Sequence, residues 1–406
     1  MERLEALAGD TDEPQRISRF YLSPAHRKSV ERVSGWMCEA GMAVALDAAA
    51  TVVGRYAASR PDAPLLLLGS HIDTVRDAGG YDGTLGVVAA IEAVARLNAA
   101  GRRLPLAIEV LAFGDEEGVR FPATLAGSRA VAGCFDPSTL AACDRDGVSI
   151  ADALREFGCD PAAIPSLARP PHSVRGYLEV HIEQGPVLQS LGLPVGLVSA
   201  IAGATRAEFF VEGTAGHAGA TPMTLRRDAF AAAAEMAMAI EGAACARRDV
   251  VATIGQIAIE PGGVNVIPGA ARFSLDLRSP SDAERDGAFA AIVAACETIA
   301  PRRAGGLRVA TRHQSPAAPC DPALAAFLGE AIARRGLAVQ RLPSGAGHDA
   351  MVFPPRIPMA MLFVRCKDGI SHNPAESIMA SDAEVAVDVL LDALTAIGAE
   401  CRDVAA

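Results

Sequence analysis

The chain lacks the features that would send it to nucleic acid or into a bilayer. Basic residues are nowhere concentrated enough to neutralise phosphates, and the net charge is −11 with a pI near 5.3. A nucleic-acid partner is therefore not expected. No run approaches the roughly 18 apolar residues of a membrane span. The start, MERLEALAGD, has no apolar core of a secretory signal. No C-x-x-C pair occurs among the nine cysteines, which stand singly and in odd number. That fits reduced thiols in a cytoplasm, not a disulfide framework. Internal repeats and low-complexity tracts are also missing, and the Ala-rich stretches read as helical.

At 406 residues the chain is too long for one ordinary core, so two domains are expected. Its first half alternates short apolar strands with helical stretches. Val44–Tyr56 reads as a strand pair, and Pro64–Leu68, Leu106–Phe113 and Tyr177–Ile182 as strands. Thr84–Ala99 reads as a helix, and Arg129 to Phe157 as helix with loops. Continuous apolar runs mark strands buried on both faces, so a mostly parallel sheet covered by helices is expected. From Ala204 the pattern changes. Strand Ala207–Glu212, helix Leu225–Ala244, strands Val250–Ile259 and Ala271–Arg278, helix Asp282–Ile299 and strand Leu307–Thr311 follow in turn. This βαββαβ order is the ferredoxin-like one. After Pro316–Pro319 the first pattern resumes, with helix Pro322–Arg335, strand Met359–Val364 and helix Ser381–Ile397. The expected domains are thus 1–203 with 317–406, interrupted by 204–316. Glycines at Gly196–Gly203 and Gly305–Gly306 are compatible with hinging at the two crossings.

Five residues stand where apolar runs end or glycine-rich turns follow: His71, Asp82, Glu117, His181 and His372. Three imidazoles and two carboxylates make a donor set for two divalent ions, Zn or Mn, with Co or Ni also suited. No cysteine is placed to favour a thiolate site. Ligands of open α/β sheets gather at the carboxyl ends of strands, where these residues fall. Asp82 is the expected bridge between two ions some ~3.5–4 Å apart. Its bland alternative is a helix cap. The acids of GDEEGVRF could be a solvated turn, and each histidine a satisfied core residue; the joint pattern argues otherwise. Asp73, two residues after His71, could accept the other ring N–H. Glu116 is a surplus carboxylate with nothing to ligate, as proton transfer in a metal-assisted hydrolase requires.

Ten ordered motifs, among them GSHIDTV, GGYDGTLG, GDEEGVRFP, HIEQGPVL, GHAGATPM, GGVNVIPG, LDLRSP, SGAGHDAM and GISHNPAE, resemble the M20-type metal-dependent amidohydrolases and peptidases. The forms are those of the hydantoinase/carbamoylase branch, which hydrolyses linear ureido compounds. The resemblance implies that His71, Asp82, Glu117, His181 and His372 hold metal and that Glu116 is the general base. It implies that His217 polarises the scissile carbonyl, often from a partner subunit, and that Asn265 and Arg278 contact substrate. It also implies that Gly347 and His348 let backbone approach the substrate. The insert would then be a lid and dimerisation domain of a homodimer. Allantoate and N-carbamoyl-L-amino acids are the expected substrates, allantoate first; a dipeptidase or aminoacylase on the same fold is the third reading. Two departures matter. Ala204 stands where many members carry a substrate-contacting glutamine. Ala50 and Thr51 replace a usual Gly-Asn pair, for which only a local turn change is expected.

Overall fold

Runs of apolar residues with no polar alternation become the centre of a sheet. The computed structural model describes residues 1–303 and 305–403. Its chain divides into two compact units: Met1–Ser199, Pro319–Leu342 and the chain from Gly347 onward form one; Ala200–Ala318 with Pro343–Ala346 form the other.

In the first unit, β1 (Ala43–Leu46) and β2 (Val52–Tyr56) form an antiparallel pair at one edge. Next come β3 (Leu65–His71), β4 (Ala107–Phe113), β5 (Val174–Ile182) and β6 (Val195–Ile201). With β16 (Met359–Val364) they lie in the order β1-β2-β4-β3-β5-β16-β6. The four central strands are parallel and the outer pairings antiparallel. Every residue of β3, β4 and β16 is buried, as expected of strands with helices on them. Helices α1 (Glu2–Ala8) and α2 (Pro24–Glu39) open the chain, and α3 (Thr84–Ala99) follows β3. Short helices α4 (Ala126–Ala132), α5 (Ile150–Glu156) and α6 (Val187–Leu191) lie in the connections. Late in the chain, α9 (Pro322–Arg334) and α10 (Ala380–Asp403) pack on each other and on β16, and α10 also packs on α3.

The sequence reading missed three strands of this sheet: β6 and the two short strands Ala318–Pro319 and Arg341–Ser344. Val195–Ile201, read only as a glycine-bearing crossing, is β6, antiparallel to β16. Gly196 serves packing: a Cβ there would press into Leu342 and Leu188.

The second unit is an antiparallel sheet with two helices. Its elements are β7 (Gly203–Glu212), β8 (Gly216–His217), α7 (Ala229–Cys245), β9 (Val251–Thr253), β10 (Ile257–Glu260), β11 (Val266–Ile267), β12 (Ala270–Ser279), α8 (Asp282–Arg303) and β13 (Gly306–Ser315). Spatial order is β10-β12-β7-β13, with β9 also on β12, and β8 pairs with β11 as a separate ribbon. Ala207, Phe209 and Val211 alternate inward to meet Met236, Ile240, Ile292 and Cys296 in a core of the unit's own. Two expectations change. Val250–Ile259 breaks at Ile254–Gln256, where the Ser274 hydroxyl takes the Gln256 N–H that the ladder would have used. Helix α7 starts four residues late because Asp228 caps it, accepting from the N–H groups of Phe230 and Ala231. Short strands β14 (Ala318–Pro319) and β15 (Arg341–Ser344) lie at the return crossing of the chain.

Candidate metal centre

Parallel strands bring their C-terminal ends to one edge, and three ligand candidates arrive there from different strands. His71 is the last residue of β3 and His181 the penultimate residue of β5. Glu116 and Glu117 follow β4 after the bend Gly114–Asp115. Asp82 comes from the turn before α3. Gly83 there has φ +65° and ψ −51°, and the Thr84 N–H reaches the Asp82 carbonyl at 2.7 Å. This γ-turn needs glycine at its centre. The helix-cap alternative for Asp82 fails, since the N-cap of α3 is Gly83 and no side chain caps it.

Asp82 is the hub. Its Oδ1 lies 3.1 Å from His181 Nε2 and 3.5 Å from His71 Nε2; its Oδ2 lies 3.3 Å from His372 Nε2. His372 Nε2 is in turn 3.5 Å from Glu117 Oε1. The ligand-capable atoms fall into four overlapping groups among the described residues, His71–Asp82–His181, His71–Glu116–Glu117, Asp82–Glu117–His372 and Glu179–His181–His348. All five expected ligands are thereby brought together. His71, Asp82 and His181 are buried and the Glu117 side chain nearly so, while the His372 side chain keeps 49% of its exposure, so the centre opens to solvent on that side. His372 and Gln184 both hold positive φ, near +56°, a costly conformation that clusters at functional sites.

Supporting contacts fix the ring tautomers. Asp73 stands 3.4 Å from His71 Nδ1, and its two oxygens accept the backbone N–H groups of Glu116 and Glu117 at 3.1 and 3.0 Å. One carboxylate thus ties the β3 end to the acidic turn. His181 Nδ1 faces the Ile182 carbonyl at 2.9 Å, leaving Nε2 for the centre. Sequence reasoning passed over three residues. Gln184 Nε2 donates to Asp82 Oδ2 at 2.7 Å, and the Ser371 hydroxyl donates there at 2.6 Å. Buried Glu179 accepts from Ser70, Tyr177 and the Ala350 N–H. Gln184 and Ser371 stand inside HIEQGP and GISHNPAE, so the signal was present but unread.

The electrostatics describe a cage short of positive charge. Burial opposes ionisation of Asp82, but the imidazoles, His181 foremost, pull its carboxyl well below the usual range. Burial lowers the basicity of His71 and His181, and the carboxylates around them more than reverse this. Burial raises Glu117 to about 7, helped by Asp82 and Asp73 against His71 and His372. Glu116 is pushed well up by burial and by Glu117, Asp349 and Asp73, with His71 opposing. Glu117 Oε1 is buried with no hydrogen-bond partner. Three convergent imidazoles and two carboxylates, one of them with an orphaned oxygen, fit divalent ions of the zinc and manganese kind.

The remaining expected residues divide between the units. In the first, His348 is fully buried, its ring edge-on to His181 with centroids 4.3 Å apart. Burial and then His181 hold His348 well below its ordinary pKa, so its imidazole is neutral. Gly347 precedes it, and an added Cβ there would lie 3.6 Å from Glu116 Oε1. In the second unit, exposed His217 lies in β8 and exposed Asn265 just before β11; the Asn265 carbonyl accepts the Ala218 N–H. Arg278, on β12 opposite Ala204, gives Nε and one terminal nitrogen to Asp276 at 2.7 and 3.0 Å. Its other terminal nitrogen donates to the Gly345 carbonyl at 2.7 Å.

Comparison with known proteins places this centre in a family. Residues 67–396 match the model of peptidase family M20/M25/M40. The chain belongs to that family. M20 enzymes are metal-dependent, in keeping with the ligand groups above. An N-carbamoyl-L-amino acid amidohydrolase of Geobacillus stearothermophilus is 43% identical over 92% of this chain and 91% of its own length. An allantoate deiminase of Arabidopsis thaliana is 38% identical over 97% and 81%. The crystal structure of a hydantoinase/carbamoylase family amidase from Burkholderia multivorans superposes with a TM-score of 0.90 at 31% identity, covering 97% of this chain and 96% of that one. This M20 chain is an enzyme of the amidohydrolase kind, acting on C–N bonds outside peptides.

Proposed function

We propose that the chain hydrolyses a linear ureido group on a small carboxylate-bearing substrate at its C–N bonds, consuming water and releasing ammonia, carbon dioxide and the amine that carried the group. The observation that carries this is a carboxylate beyond the five expected ligands: Glu116 stands beside His71 and Glu117, and in this reading it serves as the base and not as a ligand. Those five residues would hold two divalent ions, Zn or Mn, with Asp82 facing both sides. Such a pair supplies positive charge that polarises the scissile carbonyl and acidifies water. Glu116 takes the proton of the attacking water and passes it to the leaving nitrogen. Asp73 keeps His71 and the acidic turn in register. Gly347 and His348 shape the wall beside Glu116.

The second unit supplies the substrate contacts in this reading. His217 would stabilise charge developing on the carbonyl oxygen, and Asn265 would hold the ureido group. Arg278 would anchor the substrate carboxylate. Three of its five N–H groups are engaged, by Asp276 and Gly345, which leaves two for a ligand and fixes their direction. The unit would serve as lid and dimerisation domain.

Allantoate is the first substrate reading, and the Arabidopsis relative supports it. N-Carbamoyl-L-amino acids are the second, favoured by the 43% identical carbamoylase and by Ala204, whose small side chain leaves room beside Arg278. The deciding assay is ammonia release by protein stripped and reloaded with Mn, Zn, Co or Ni, on allantoate and on a panel of carbamoyl amino acids. Silence on both classes with metal bound would reject the ureido reading.

A further inference from the structure

Two of the metal-facing residues, Asp82 and His372, come from turns some three hundred positions apart, and neither turn is part of the sheet. Something must hold them in register. The buried carboxylate of Glu376 touches both. Its Oε1 accepts the backbone N–H of Tyr81 at 2.8 Å and that of Asp82 at 3.1 Å. Its Oε2 lies 3.0 Å from the Ser371 hydroxyl oxygen. Ser371 is the residue before His372, and the same hydroxyl lies 2.6 Å from Asp82 Oδ2. Gln184 completes the bridge, with its Nε2 at 2.7 Å from Asp82 Oδ2 and 3.3 Å from Ser371 Oγ.

A glycine makes room for this contact. A Cβ on Gly79 would overlap Cβ, Cδ and Oε1 of Glu376. The turn of Glu376 is also locked on its own side, with the Glu376 N–H on the Asn373 carbonyl at 3.0 Å and the Ala375 N–H on Asn373 Oδ1 at 2.9 Å. Glu376 meets the centre through Asp82 and Ser371, and among the described residues it belongs to none of the ligand groups.

We infer that Glu376 is a positioning residue that clamps the Asp82 turn to the His372 turn and thereby sets metal affinity. The inference rests on the metal-centre reading above. What matters is reach, not charge. A glutamine at 376 keeps a carbonyl oxygen for the two N–H groups and an amide that donates to Ser371. An aspartate keeps the charge but falls one methylene short.

The test is Mn2+ binding to the full chain, measured by competition with a chromophoric chelator, alongside the melting temperature of the metal-free protein. Loss of a residue that orients a metal ligand weakens metal binding by roughly ten- to a hundredfold. E376A and E376D are expected to show that loss, while E376Q retains most of the affinity. E376D serves where E376A does not fold. Wild-type affinity in E376D, or a loss in E376Q as large as in E376D, overturns the inference, because charge or bulk would then suffice. Failure of the unmutated chain to bind Mn2+ in the same titration overturns the metal-centre reading itself.

Discussion

Single residues set the chemistry. Glu116 and Glu117 are adjacent, yet Glu117 reaches His372 and Asp82 while Glu116 sits by Gly347. Replacing Glu116 by glutamine keeps the shape and removes the base. General-base catalysis is worth about two to four decades, so kcat of E116Q is expected to fall by that much while Mn2+ binding, read by calorimetry, persists. His217→Ala removes one oxyanion donor, worth about two to three decades in kcat; a retained kcat would sink its assigned role. His26 offers a pH test away from the metal. Burial lowers its pKa from 6.5 to about 4, and its Nδ1 accepts the Leu22 N–H at 3.1 Å. The folded state therefore keeps the ring neutral while the unfolded chain takes up a proton. Stability from this source is complete above pH 6.5 and is lost as pH falls from 6.5 towards 4. The loss approaches ~3 kcal/mol. Urea denaturation at pH 7.5 and 4.5 should show it, and an H26N variant, which cannot titrate, should show less.

At the scale of elements, strand ends and turns aim those residues. β3 and β16 close where the apolar runs LLLLGSH and MAMLFV end, and α3 spans Thr84–Ala99, the range read from the sequence. Where local pattern and long-range partner diverge, the sequence was silent. Val195–Ile201 looked like a glycine-bearing crossing because its partner β16 lies more than 150 residues away. The β8–β11 ribbon is only two residues long on each side, too short for any periodicity. Gly83 joins element to site: it has φ +65°, and a Cβ there would overlap the His71 ring. Gly83→Ala is expected to cost about 1–3 kcal/mol in urea denaturation. It should also weaken Mn2+ binding by displacing His71. An unchanged affinity would show that the turn tolerates the methyl group.

For the whole molecule, each unit has its own core, so metal should stabilise one and not the other. The ligand candidates all lie in the first unit. Metal at about a thousand times its Kd stabilises a fold by ~4 kcal/mol. Differential scanning calorimetry with and without chelator is therefore expected to move one transition and leave the other in place. A uniform shift would mean that the two units melt as one.

The chain itself determined the candidate donor residues, the strand ends that present them and the long strands and helices of both units. These depend on residue type, apolar run length and glycine placement, which are local properties. Tertiary structure alone decided that Asp82 is a hub and not a helix cap, because its partners His181, Gln184, Ser371 and His372 come from distant turns. It also decided that Arg278 is held by Asp276, and that Glu376 reaches the backbone of Tyr81 and Asp82. Such contacts depend on where separate turns meet at the sheet edge, and no spacing within one segment encodes that.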